Sequence, residues 1–400
     1  MTLKKLLSLL SLLLVLVACG SDPTPTPSVT LAPSPIPWQR SSQVLTLENA
    51  PQIRLLGRFD DHAATINLLK FSPDSAYLAS ASPGDGRLRV WNLASGRAVF
   101  AADQFVTRWV YFTPNNETLV ALNNRTLQIQ AWDFFAQQPL TSLTAQNALI
   151  SSVVQSDDLR QLAVGGTKGR IYLFDLVPLT SKGYIDAHPI ITVEQMAFTP
   201  NGQQLISLAD GGAMRVWDVA TQTMVHEFTK VDFPPERFAI SPDGKRLAVA
   251  YPNSVRLWSL EDYTLVRTIA TPEDAATSTL EFNADGTILI MQGGNQNISL
   301  WNALSGQRIV ELPEQSRDIA GIELSSDERL LLNGAHGADL YLWNISTLDR
   351  ANVENNEVQL QRANIAPSGV DVYFATWSAN DQWIAFTDKL GLIYVLGISG

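Results

Sequence analysis

The chain has a single cysteine, Cys19, among its 400 residues. One thiol excludes an intrachain disulfide and any thiolate metal cage. Histidine is nearly as scarce: four, at positions 62, 188, 226 and 336, leave little for metal ligation or acid–base chemistry. Charged residues make up only 17% of the chain and sum to −11, with no basic cluster, which argues against binding a nucleic-acid backbone. The N-terminal apolar run, Leu6 to Val17, is broken by Ser8 and Ser11. As a helix it would rise about 18 Å, short of a bilayer core of about 30 Å. A Gly-x-Ser-x-Gly nucleophile elbow and a His-Glu-x-x-His zinc motif are both missing. Gly165-Gly166-Thr167-Lys168-Gly169 and Gly293-Gly294 invite a phosphate reading, but strand patterns follow them where a phosphate loop needs a helix, so they read as β-turns. These absences lead us to expect no catalytic group, no metal and no cofactor.

What is present begins with Lys4 and Lys5, the short apolar run, and then Leu16-Val17-Ala18-Cys19. A positive start and a short apolar core read as an export signal. The last four residues resemble the bacterial lipoprotein signal. That resemblance implies a signal peptide over 1–18, lipidation of Cys19, and a protein lipid-anchored to a membrane and facing outside the cytoplasm. Gly20 stands where some bacteria place an aspartate retention signal. From Gly20 to Pro37, six of eighteen residues are proline. Such a composition buries no core, so residues 19–43 are expected to be the lipidated cysteine and an extended or disordered Pro/Thr/Ser-rich linker.

From residue 44 to residue 400 the chain repeats. Turn tetrads recur as Ser72-Pro73-Asp74-Ser75, Thr113-Pro114-Asn115-Asn116, Gln155-Ser156-Asp157-Asp158, Thr199-Pro200-Asn201-Gly202, Ser241-Pro242-Asp243-Gly244, Asn283-Ala284-Asp285-Gly286, Ser325-Ser326-Asp327-Glu328 and Ser378-Ala379-Asn380-Asp381. A short apolar run, a second turn and an alternating strand follow each, as in Leu247–Ala250 and Val255–Trp258. The closing positions are Trp91, Trp132, Phe174, Trp217, Trp258, Trp301, Trp343 and Val395, spaced by 41, 42, 43, 41, 43, 42 and 52 residues. A period near 40–45 with short strands is the mark of a propeller. The units resemble WD40 repeats, with Trp132-Asp133 and Trp217-Asp218 keeping the closing pair and His62 and His188 the opening histidine. The fold is therefore expected to be an all-β, eight-bladed WD40-type β-propeller. Seven blades is the alternative if the last unit sits outside the ring. Outer strands near Gln52–Leu56, Thr223–Phe228, Leu265–Ile269 and Gln307–Leu312 complete the count, and the first would close the ring on the last unit.

Several residues invite a sharper reading than they earn. In-phase tryptophans are expected to pack between blades rather than bind sugars or cations, and Trp377 and Trp383 to fill the core of the eighth unit. The resemblance implies buried hydrogen-bond chains of His188, Ser207, Asp210 and Trp217, and of His62, Ser80 or Ser82, Asp85 and Trp91. Neither set is read as a metal site. Function is expected on loops of one face. The foremost candidate is Val231–Arg237, with Phe233, Pro234 and Arg237; Phe105 and Asp318 lie on further loops of that face, and Thr347–Ser368 is a second candidate. The expected function is a non-catalytic protein-interaction or assembly scaffold with an unidentified protein partner, anchored through Cys19. A closed ring is expected to be monomeric, the oligomeric state being otherwise open. The alternative is a channel that binds a small molecule or glycan, as a sensor or enzyme subunit. A third reading resembles the eight-bladed outer-membrane assembly lipoproteins.

Overall fold

A computed structural model describes residues 42–144, 149–228, 234–271, 277–293, 297–312, 319–335, 339–346, 348 and 360–399. Cys19, Phe233 and Asp318 lie outside these residues, as do the export signal, the linker up to residue 41, and most of Thr347–Ser368.

The described strands form eight four-stranded antiparallel sheets. Blade 1 shows the plan: Leu68–Phe71, Tyr77–Ser82, Arg87–Asn92 and Arg97–Ala102 lie side by side in sequence order. The other inner strands are Val110–Phe112, Ile150–Gln155, Val193–Phe198, Arg237–Ile240, Thr279–Phe282, Ile319–Leu324 and Phe374–Trp377, in blades 2 to 8. Blade 8 takes its fourth strand from the other end of the chain. Ile53–Phe59 pairs with Ile393–Ile398, with Ile53 opposite Ile398 and Phe59 opposite Ile393. The ring is thus an eight-bladed β-propeller built of WD40-type repeats, and this splice leaves no open edge between its first and last blades.

Each turn tetrad works by the same local chemistry. The Ser72 hydroxyl donates to Asp74 at 2.6 Å and accepts the Tyr77 N–H at 2.9 Å. Ser241 with Asp243, Thr199 with Asn201, and Ser378 with Asn380 repeat the bond. The residue three after the tetrad hydroxyl or amide sits in the left-handed region: Gly202, Gly244 and Gly286, but also Ser75, Asn116, Leu159, Glu328 and Asp381. The local hydrogen bonds outweigh the modest steric cost there. In blade 3 the hydroxyl is Ser156, bonded to Asp158 at 2.5 Å, so the tetrad is Ser156–Leu159 and begins one residue later than the sequence suggested.

The core lies between blades. Trp132 packs with Val90, Phe100 and Ala102 of the preceding blade. Trp91 joins Ile393 and Val395 of blade 8 across the splice. All the in-phase aromatics are buried except Trp258, which is partly so. Trp377 and Trp383 are buried as expected. The closing position of blade 8 falls on Leu396, not Val395. Leu396 opposes Ile384 as Trp91 opposes Leu78. No tryptophan marks the phase there, and the sequence pattern alone points one residue too early.

Candidate functional site

Two of the buried polar chains deserve comparison, because the same three groups meet in different surroundings. In blade 1, His62 Nε2 lies 2.8 Å from Ser80 Oγ, and Trp91 Nε1 donates to the same oxygen at 2.9 Å. Asp85 completes the chain at 3.2 Å from His62 Nδ1 and accepts the Ala63 N–H at 2.8 Å. Burial alone would raise the Asp85 carboxyl, but the bonds from His62, Ala63 and Arg87 outweigh it and hold the group below its ordinary value. Ser82 takes no part; its hydroxyl donates to the Thr65 carbonyl.

In blade 4, His188 Nε2 and Trp217 Nε1 meet Ser207 Oγ at 2.8 and 2.9 Å. Asp210, however, is exposed, and His188 Nδ1 has no partner. Asp210 stands three residues after Ser207, where Asp85 stands five after Ser80, and the hairpin itself differs. Ser207 opposes Arg215 where Ser80 opposes Arg89, so the blade 4 hairpin is one residue shorter. The aspartate falls at the first turn residue, too early to reach inward. Burial first, and then the Arg215 charge, push His188 down to about 4, so the ring is neutral near pH 7.

Phe105 is fully buried, at 0% exposure, and is not a rim contact. Its N–H donates to the Gly86 carbonyl as that of His188 donates to Gly169. Phe105 therefore occupies the histidine's place in blade 2 and stands edge-on to Trp132 at 5.0 Å. Ala121 replaces the serine there, opposite Gln130 as Ser80 is opposite Arg89.

The loop face carries the candidate residues that can be placed. Pro234 is exposed and Arg237 is exposed at the start of its strand. Arg237 Nε reaches the Ser278 carbonyl at 3.4 Å and Nη1 the Glu236 carbonyl at 3.2 Å. Pro235 is buried against Gly212. Sequence reasoning missed an aliphatic group at another hairpin turn of this face. Leu149, Ile190 and Ile191 are 68%, 91% and 40% exposed. They flank one hairpin turn of blade 3, since Thr167 N–H donates to Leu149 O and Ile190 N–H to Lys168 O. Ile190 has φ of +61°, a region that β-branched residues rarely adopt. The signal was two isoleucines in a loop directly after His188-Pro189.

The opposite face carries the tetrads and surrounds the mouth of the axial channel. Inner strands leave one edge unpaired, and side chains of neighbouring blades cap it. Gln195 donates to the Phe238 carbonyl at 2.8 Å and accepts its N–H at 3.0 Å. Glu323 accepts the Trp377 N–H at 2.9 Å. A cavity of about 290 Å³ opens at this mouth, lined by Lys70, Phe71, Phe112, Gln155, Glu323, Thr376, Trp377 and Asp381 among others. Two residues before each tetrad hydroxyl or amide, the eight blades in order carry Lys70, Tyr111, Val154, Ala197, Ala239, Glu281, Glu323 and Thr376. Blades 2 to 5 are apolar or phenolic at this level; the ionisable trio lies in blades 6, 7 and 1. Burial, then repulsion from Glu323, pushes Glu281 up to about 7, although water reaches it in the channel. Glu323 is raised too, chiefly by burial, against the bonds from Trp377 and Thr376 and the Lys70 charge. No cluster of three or more His, Cys, Asp or Glu suited to a metal occurs among the described residues.

Residues 53–92 match the family model described as WD domain, G-beta repeat. Among curated proteins, the chain is similar to the target of rapamycin complex subunit wat1 of Schizosaccharomyces pombe, 24% identical over 45% of this chain and 57% of that protein. The chain spans less than two thirds of the curated relatives it matches, with 29% and 32% in two others. Among solved structures it resembles the computationally designed Ika8 protein, with a TM-score of 0.68 and 19% identity over 84% of this chain and 97% of that one. The Dos1 propeller gives a TM-score of 0.69 and 13% identity over 88% of this chain and 96% of that one. At such identities the likeness is one of fold.

Proposed function

We propose that this chain is a non-catalytic protein-binding platform that docks its partner on the loop face and is held at a membrane, outside the cytoplasm, by lipid on Cys19. Propellers with WD40 repeats are generally protein-binding scaffolds without catalysis. One observation carries the choice of face: three aliphatic side chains, Leu149, Ile190 and Ile191, stand exposed around a single turn. Leaving them in water forfeits about 25 cal/mol for each Å² that could be buried. Holding Ile190 in the left-handed region adds a further cost of about 1–2 kcal/mol. The Lys168 and His188 carbonyls fix that conformation, accepting from Ile190 and Ile191 at 3.1 and 2.9 Å. A rigid exposed aliphatic pair is suited to contact, because little ordering entropy remains to be lost on docking. Pro234 and Arg237 extend the same face. The test is in-cell crosslinking followed by detergent solubilisation, comparing the wild type with a variant carrying Ile190→Asp and Ile191→Asp. Loss of one specific crosslinked partner from the variant, at equal abundance and equal melting temperature, supports the reading. An unchanged set of crosslinks removes the loop face from consideration.

A further inference from the structure

We infer that the cavity at the tetrad-face mouth of the channel is a binding site for a small zwitterion of the α-amino-acid type. Three observations meet there. First, charge is distributed asymmetrically on a repetitive scaffold. At one level of the ring the charged groups Lys70, Glu281 and Glu323 occupy three of four consecutive blades, the fourth being Thr376 of blade 8, and blades 2 to 5 carry no carboxylate or ammonium there. Blade packing requires no such choice, since Val154, Ala197 and Ala239 fill the same position elsewhere.

Second, the opposite charges do not satisfy one another. Lys70 and Glu281 have no hydrogen-bond or ion-pair partner among the described residues, and Lys70 forms no ion pair with Glu323, although its charge is felt there. Glu323 is oriented by the Trp377 N–H and by the Thr376 hydroxyl at 3.3 Å, which leaves the other lone pairs of its carboxylate for a ligand. An ammonium donor and a fixed carboxylate facing one cavity match a ligand bearing a carboxylate and an ammonium together.

Third, the cavity has the size and walls for such a ligand. Its volume of about 290 Å³ lies at the small end of the roughly 300–1,000 Å³ of small-molecule sites. Phe71, Phe112 and Trp377 supply an apolar wall for a side chain. The ligand carboxylate would meet Lys70, and its ammonium would meet Glu323, opposite charges that both line the cavity.

The experiment is a thermal-shift survey of the full-length chain against the common amino acids, followed by calorimetry of the best ligand, its amide and its des-amino acid. We expect at least one amino acid to bind, and both single-charge analogues to bind at least about tenfold more weakly, a step of about 1.4 kcal/mol. Lys70→Met, at an exposed position, should cost the amino acid the same factor and leave the amide unaffected. Glu323→Gln keeps an acceptor for Trp377 and should weaken the amino acid while sparing the des-amino acid. Lack of binding by every amino acid at about 100 times a micromolar Kd overturns the inference. So does equal binding of a single-charge analogue, or Lys70→Met binding as the wild type does.

Discussion

Replacing Ser207 by alanine tests the reading of the buried chain in blade 4. Ser207 is wholly buried and serves two partners, His188 at 2.8 Å and Trp217 at 2.9 Å. The hydroxyl accepts from the indole and donates to Nε2, which places the His188 proton on the unpartnered Nδ1. The variant leaves two buried polar groups unsatisfied at about 1–3 kcal/mol each, or about 2–6 kcal/mol together. Blade 2 supplies the control, because Phe105, Ala121 and Trp132 occupy the same three places without the serine or the histidine. Of those three side chains only Trp132 carries an unpaired polar atom, its indole nitrogen. Adding His188→Phe to Ser207→Ala reproduces that arrangement and, because it removes the already unpartnered Nδ1 together with Nε2, should recover more than half of the loss. Chemical denaturation followed by tryptophan fluorescence measures both variants. A cost under about 0.5 kcal/mol for Ser207→Ala, or a double variant worse than the single, refutes the account.

Other consequences follow from single positions. Gly169→Ala would drive Cβ into the His188 carbonyl group at φ of +80°, so loss of folded protein, seen by expression and circular dichroism, is expected. Glu281, with its folded value raised from 4.5 to about 7, holds a proton that the unfolded chain has released in that window. Stability from this group is therefore present at low pH and lost as pH rises from about 4.5 to about 7. Glu281→Gln should flatten the fall in melting temperature between pH 5 and pH 8; an unchanged slope would assign it elsewhere. Cys19→Ser should move the protein from the membrane to the soluble fraction, and persistent tight membrane association would point to another anchor.

The repeat was legible because its turn chemistry is local. A hydroxyl or amide, its acidic or amide partner two residues on, and a backbone N–H five residues on all lie in one short run, and the eight runs recur at a nearly constant period. Ring closure by Ile53–Phe59 was legible for the same reason, as an eighth outer strand with no hairpin before it. What failed was anything set by a residue or two of length or by a neighbour across the ring. Asp210 reads as the partner of His188 until it proves to stand too early in a shorter hairpin. Phe105 reads as an exposed aromatic on a loop, although the loop carries it into the histidine's buried place. Glu281 and Glu323 gain meaning only when eight distant residues are laid round one axis.

That axis also orders the proposals. Described residues begin at Ser42, whose carbonyl accepts from Gln382 at 3.2 Å, and Leu45 N–H donates to the Asp381 carbonyl at 2.8 Å. The proposed tether therefore joins the ring at the blade 8 tetrad, beside the cavity that Asp381 helps to line. The Leu149–Ile190 group lies on the opposite face, where hairpin turns and interblade loops meet. A membrane attachment and a protein partner would then engage different ends of the channel without competing for surface. The two ends differ in chemistry for a physical reason. Every blade must spend its tetrad residues on the same local bonds, so at that end variation survives only on the channel-facing strand positions. Loops on the other face carry no such obligation and differ freely in length and composition, as the one-residue difference between the blade 1 and blade 4 hairpins already shows. A small polar ligand suits the first kind of variation and a broad apolar contact the second.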